Sequence, residues 1–177
     1  MEPWTSIASG FGCGRLHDER VRNPARRRRA RMRLDGGVCF AFSAFIMAAL
    51  DRVGKSEAIA AMNAINIGIV RSAFMPLFVG ATLASLAVGA ATLISSPEPR
   101  PATALLGAVI YFGGMFVVTL ICNVPLNEAL ARSRDQGDST NSAWEVYMVR
   151  WTRWNHVRTA ASAIAAAVFL TELILHK

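Results

Sequence analysis

Two short segments gather polar side chains at the edges of long apolar runs: NVPLN, Asn123 to Asn127, and WTRWNHVRT, Trp151 to Thr159. Amides, an imidazole, a guanidinium and indoles thus gather where predicted membrane helices enter or leave the bilayer, where a small membrane protein can hold a polar site. The amides of Asn123, Asn127 and Asn155 and the guanidinium of Arg158 are donors that can hold a polar site at the membrane edge. The imidazole of His156, with an unperturbed pKa of ~6.5, can take a proton at neutral pH. The indoles of Trp151 and Trp154 can stack on a ring system. His156 carries a geometric objection, because five residues beyond Trp151 it lies about 140° round a helix at ~3.6 residues per turn. Asn123 closes an apolar run, where an unpaired amide costs free energy. It therefore calls for a partner on the following helix, Arg158 or Asn155 first. Asn127 shares its face only if the helix continues past Val124, although Pro125 is an ordinary helix terminator. Upstream, EAIAAMNAIN places Asn63 and Asn66 on nearly one face, and Asn66 joins Trp151 and Trp154 as a ligand-contacting candidate.

Trp144, Tyr147, Trp151, Trp154 and Arg158 step by three and four residues, one stripe on a helix from Asn141. Two readings stand side by side. The stripe is a stacking platform for a planar ligand, or an interfacial aromatic belt with Arg158 snorkelling to headgroups.

The elements that position these groups are membrane-length helices. A span takes ~20 mostly apolar residues, because its backbone must satisfy itself within the segment. Ala73 to Ser95 runs 23 residues without a charge, Ala102 to Cys122 runs 21, and Thr159 to Leu175 runs 17 with Glu172 near its exit. Gly36 to Leu50 is only 15 residues, about 22 Å at ~1.5 Å per residue against a core of ~30 Å. The fold expected is all-α, a four-helix transmembrane bundle over 36–177 with spans at about 36–52, 73–95, 102–123 and 157–175. A short interfacial helix, Glu57 to Arg71, is capped by Ser56 and carries Glu57 in its first turn. Ala81, Ser85 and Gly89, and Ala161 and Ser162 with Ala165 and Ala166, repeat every four residues and let helix backbones approach. Gly113 and Gly114 mark a tight crossing or room for a ligand.

The chain is oily and basic together: 53% hydrophobic, yet +7 in formal charge. Residues 1–35 hold nine arginines against Glu2, Asp18, Glu19 and Asp35, which accounts for +5 of that +7. Such a run can bind nucleic acid or anionic lipid, but a disordered solvated tail explains it more simply, so no nucleic-acid partner is expected. The other Lys and Arg side chains favour the loops 51–72 and 124–158 as cytoplasmic. Both termini then face outward, which conflicts with an arginine-rich tail ahead of an incomplete first span. The expectation is that residues 1 to about 34 are not the native N-terminus. Cys13, Cys39 and Cys122 show neither metal nor disulfide spacing, and His17, His156 and His176 are far apart, so no metal is expected. An ion-coupled transporter is also disfavoured, since the two central spans hold no carboxylate.

Taken together, FAFSAFIMAAL, EAIAAMNAIN, NVPLN followed by EALA, and W…Y…WTRWNHVRT ahead of an Ala-rich span resemble the anthrone oxygenase-like family of small integral membrane proteins. The resemblance covers about residues 36–175. It implies a four-helix membrane fold, and for the activity an oxidation of anthrones to anthraquinones by O2 with no evident metal or flavin. The implied partners are the lipid bilayer, a hydrophobic aromatic small molecule and O2. Under that resemblance His156 is the base, and Arg158, Asn123, Asn127 and Asn155 serve the oxyanion. Trp151, Trp154 and Asn66 then contact the substrate. A non-catalytic membrane subunit, scaffold or small-molecule binding protein is the alternative. The departure from the family is the N-terminus, where the first span would begin earlier.

Overall fold

A computed structural model describes residues 36–94, 102–133 and 140–175, and the basic segment 1–35 lies outside them. Five helices and no strand make up the described residues. They are α1, Gly36–Leu50; α2, Lys55–Val70; α3, Phe74–Ile94; α4, Ala102–Ser133; and α5, Thr140–Leu175. The expected spans at 102–123 and 157–175 lie inside α4 and α5, whereas those at 36–52 and 73–95 run past the ends of α1 and α3. α3 and α4 are long and apolar enough to cross a membrane, whereas α1 is a shorter apolar helix.

α2 starts one residue before the expected cap. Gly54 is extended (φ −55°, ψ 144°) and Lys55 opens the helix, with the Gly54 carbonyl accepting from Ala58 N–H at 2.9 Å. Ser56 therefore sits inside the first turn and does not cap, while Glu57 occupies the first turn as expected. The chain turns from α2 into α3 through Ser72, whose hydroxyl donates to the Ile69 carbonyl (2.8 Å) and accepts from Phe74 N–H (3.2 Å). Pro76 then falls in the first turn of α3, where its missing N–H costs little.

α4 does not end at Pro125. Two wide π-helical stretches, Phe112–Val117 and Thr119–Asn123, lead into an α-helical segment, Val124–Ser133, that contains the proline. In a regular α-helix the proline ring would meet the carbonyl four residues back. Here that carbonyl belongs to Ile121, inside the wider turn. The helix thus passes the proline, and Asn123 and Asn127 come onto one face.

Small residues set the helix crossings. A Cβ on Gly114 would lie 2.3 Å from the Ala161 Cβ, so α5 packs its alanine directly against the glycine of α4, while Gly113 has nothing within 4 Å. A Cβ on Gly89 would stand 3.3 Å from the Ala108 Cβ, where α3 meets α4. Ala81, Ser85, Gly89, Ala161, Ser162 and Ala165 are buried. One buried cluster joins Phe42, Met47, Ile59, Met62, Leu130, Trp144, Tyr147 and Trp151 at the end where α1, α2 and α5 converge with the end of α4. A second, with Cys39, Phe78, Tyr111, Met115 and Ala165, lies along the apolar rods. The outer faces are apolar too: Leu83, Leu93, Leu106, Val109, Ile121 and Ile164 are all exposed.

Candidate ligand site among the five helices

A cavity of about 190 Å³ opens between the two clusters, and every helix contributes to its wall. Val38 and Phe42 come from α1, Met62 and Asn66 from α2, Phe74 and Phe78 from α3, Thr119, Asn123 and Asn127 from α4, and Trp151 and Arg158 from α5. The wall is mainly apolar, with polar groups at a few points, as small-molecule sites usually are.

Arg158 is its charged member and is only 9% exposed. Its Nη2 donates to Asn155 Oδ1 at 2.9 Å and to Cys39 Sγ at 3.1 Å, and its guanidinium carbon lies 5.6 Å from the Trp151 ring centroid. Asn155, fully buried, is itself fixed from α1: its Nδ2 donates to the Cys39 carbonyl (2.7 Å) and to Ser43 Oγ (2.8 Å). A π-helical turn in α1, Phe42–Ile46, includes Ser43. Both partners of Nη2 are neutral, and no carboxylate lines the cavity. A buried guanidinium without a counter-ion is costly. An anionic or strongly acceptor oxygen in the cavity would offset that cost.

Four polar atoms around this cavity are buried without a hydrogen-bond partner: Arg158 Nε, Trp151 Nε1, Asn66 Nδ2 and Asn123 Oδ1. Buried polar groups are nearly always paired; these four atoms, three donors and one acceptor, belong to residues that line the cavity. Asn123 is anchored by its other end, Nδ2 donating to the Trp151 carbonyl at 3.4 Å. Asn127 Oδ1 accepts from Tyr147 Oη at 2.8 Å. Burial pushes the Tyr147 hydroxyl well above the usual tyrosine pKa, against the opposing charge of Arg158. Tyr147 is therefore a phenol donor at neutral pH. Its ring continues a ladder of centroids from Trp144 (5.9 Å) through Tyr147 to Trp151 (6.0 Å) and on to Phe42 (5.4 Å). Trp144 ends it by donating to Asp51 Oδ1 at 3.0 Å.

The candidates named from the sequence divide cleanly. Asn66, Asn123, Asn127, Trp151 and Arg158 meet at the cavity. Asn155 stands behind Arg158, off the wall. Trp154, 38% exposed, is on the flank of the stripe, about 60° from Trp151 at ~3.6 residues per turn. The buried stripe runs through Asn155 instead. His156 is exposed and is not among the residues that line the cavity; its position about 140° round from Trp151 turns it to the opposite face. The partner expected for Asn123 was a side chain, Arg158 or Asn155, and is instead the Trp151 backbone carbonyl. Cys39, Ser43 and Thr119 were not singled out, yet Thr119 repeats four residues before Asn123, as Cys39 does before Ser43. That spacing is the signal that would have found them. Among the described residues no group of three or more His, Cys, Asp or Glu could hold a metal ion.

No curated protein and no solved structure matches the chain. The family model described as anthrone oxygenase matches residues 67–168, more than half of the chain. The match takes in Asn123, Asn127, Trp151, Asn155 and Arg158, and leaves out Asn66 and the α1 side of the site. With a cavity built around those matched residues, the chain belongs to the anthrone oxygenase family.

Proposed function

We propose that this chain is a multi-pass membrane protein that oxidises an anthrone-like aromatic to the quinone with O2 in the cavity above, without a cofactor. The observation that carries the reading is the buried Arg158, its Nε unpartnered, with Trp151 Nε1 and Asn66 Nδ2 also free to donate. An anthrone must lose a proton from the methylene opposite its carbonyl. The electron pair then spreads onto the carbonyl oxygen, and a guanidinium beside that oxygen stabilises the anion. With His156 turned away, no imidazole or carboxylate lines the cavity, so Arg158 acts by raising the acidity of the bound ketone and the proton leaves to water. The carbanion carbon reduces O2 and binds it, giving a hydroperoxide after protonation. Cleavage of the O–O bond with loss of the second hydrogen releases water and leaves the new carbonyl. One O2 is consumed per anthrone, one oxygen atom entering the quinone and one the water.

The cavity is smaller than the ~300–1,000 Å³ of drug-sized sites, which suits a compact planar ligand held between Trp151 and the phenyl groups. For the membrane, α3 and α4 provide two helices of sufficient length; α1 and the apolar part of α5 complete the proposed four. Loops 51–72 and 124–158, on the proposed cytoplasmic side, belong to the end that holds the polar groups. Oxygen uptake by purified protein with an anthrone tests the reading. The expected result is one O2 per quinone formed, at a rate above autoxidation and lost in Arg158→Met. Tight binding of the aromatic with no uptake would instead establish a non-catalytic binding protein.

A further inference from the structure

The most buried residues of the cavity wall include its guanidinium, an indole and an amide, and its exposed ones are aliphatic. Arg158, Trp151 and Asn123 are all less than a tenth exposed. Two other lining residues, Val70 at the end of α2 and Leu120 in α4, are 61% and 49% exposed. The wall therefore reaches the outside of the molecule between these two side chains. Both are aliphatic, and so is the rim they form. Leu120 lies within the apolar stretch of α4.

We propose that this opening is a lateral portal, through which an uncharged planar aromatic passes directly from the lipid acyl chains into the cavity, oxygen end first. The proposal rests on the membrane reading above and adds a route and a specificity determinant to it. A molecule with oxygens at one end and bare rings behind matches the order of the wall. The oxygens meet the unpartnered donors of Arg158, Trp151 and Asn66, and the rings stay beside Val70, Leu120, Phe74 and Met75. Water meets an aliphatic rim on this path, so an analogue charged at its ring end is excluded by desolvation at the mouth.

Leu120→Trp, which narrows the opening, tests this beside Ile121→Trp, its exposed neighbour outside the wall, in vesicles with an anthrone as substrate. The expected result for Leu120→Trp is a rise in KM of roughly tenfold with kcat within twofold, and for Ile121→Trp kcat and KM near wild type. A separate fluorescence arm needs no turnover: the added indole of Leu120→Trp is expected to be quenched by phosphatidylcholine brominated in its acyl chains and not by iodide. Quenching by iodide alone would overturn the lateral route, as would equal KM changes in the two variants. A wild-type protein that consumes no oxygen while the bromine quenching holds would remove the oxygenase reading and leave the portal standing. In that case binding of the corresponding quinone, weakened by Leu120→Trp and not by Ile121→Trp, reports on it, and equal binding in both would overturn it.

Discussion

At the scale of single residues the site is organised around a charge that the protein does not neutralise. Arg158 is held by neutral partners on two helices, Asn155 and Cys39, which fixes its Nη2 and leaves Nε free. Replacing Arg158 by Met should leave folding intact and lower kcat by about 10²–10³, the cost of losing one oxyanion donor. His156→Gln should keep oxygen uptake within about twofold of wild type, because the exposed imidazole is off the wall; a loss as large as that of Arg158→Met would return it to the chemistry. Tyr147 makes a different prediction, from the part of α5 ahead of its apolar stretch. Its phenol pKa is raised on folding, so the neutral form is favoured in the native state. The associated stability is present below the unfolded value of ~10 and is lost as pH climbs above it. Tyr147→Phe should therefore be less stable at neutral pH by roughly 1 kcal/mol for the lost hydrogen bond, and should lack the alkaline decline measured by thermal unfolding in detergent. Much of this site was legible in the sequence, since an amide ending an apolar run needs a partner and aromatic residues at helical spacing need a face. What was hidden is the α1 side. Asn155 reaches Cys39 across 116 positions, and no local pattern records a pairing that only packing creates.

At the scale of elements, apolar length announced the helices and small residues at fourfold spacing announced where they touch. Ala161, buried on α5, meets Gly114 on α4 so closely that a methyl group on the glycine has no space. Because the opposing atom is another Cβ and not the end of a flexible chain, Gly114→Ala must push the helices apart. Overpacking of that kind costs about 1–3 kcal/mol, which for a protein of this size lowers Tm by about 2–4 °C per kcal/mol. Gly113→Ala, with open space around it, should match or exceed wild type in the same measurement, since alanine is the better helix former. Equal losses in both would place the crossing elsewhere. Continuity of α4 past Pro125 was the element the sequence concealed. A proline reads locally as a stop, and the wide turn at Thr119–Asn123 that accommodates it arises from backbone register, which has no residue signature of its own. That register matters for the site, because it brings Asn123 and Asn127 to the same wall.

At the scale of the whole molecule, the unequal lengths of the helices fix how the proposed membrane position works. α5, with 36 residues, is about 54 Å long at ~1.5 Å per residue, far beyond a ~30 Å hydrocarbon core. Its first half, with Trp144, Tyr147 and Glu145, must therefore stand clear of the core if its alanine-rich half spans it. α4, with 32 residues, overshoots in the same direction through Glu128 and Arg132, an exposed i,i+4 pair at 3.7 Å. The two overhangs pack against α2, where Lys55 pairs with Glu145, and together they roof the cavity on the proposed cytoplasmic side. Single cysteines report this directly once Cys13 and Cys122 are replaced by serine, Cys39 being buried. Glu57→Cys and Arg132→Cys, both exposed positions, should react with a membrane-impermeant maleimide from the cytoplasmic side of sealed vesicles. Ala102→Cys, exposed at the opposite end of α4, should react only from the other side. Labelling of all three from one side would mean that α4 does not cross. The roof over Arg158 would then be an aqueous surface, and an aromatic ligand would have no lipid phase from which to reach it.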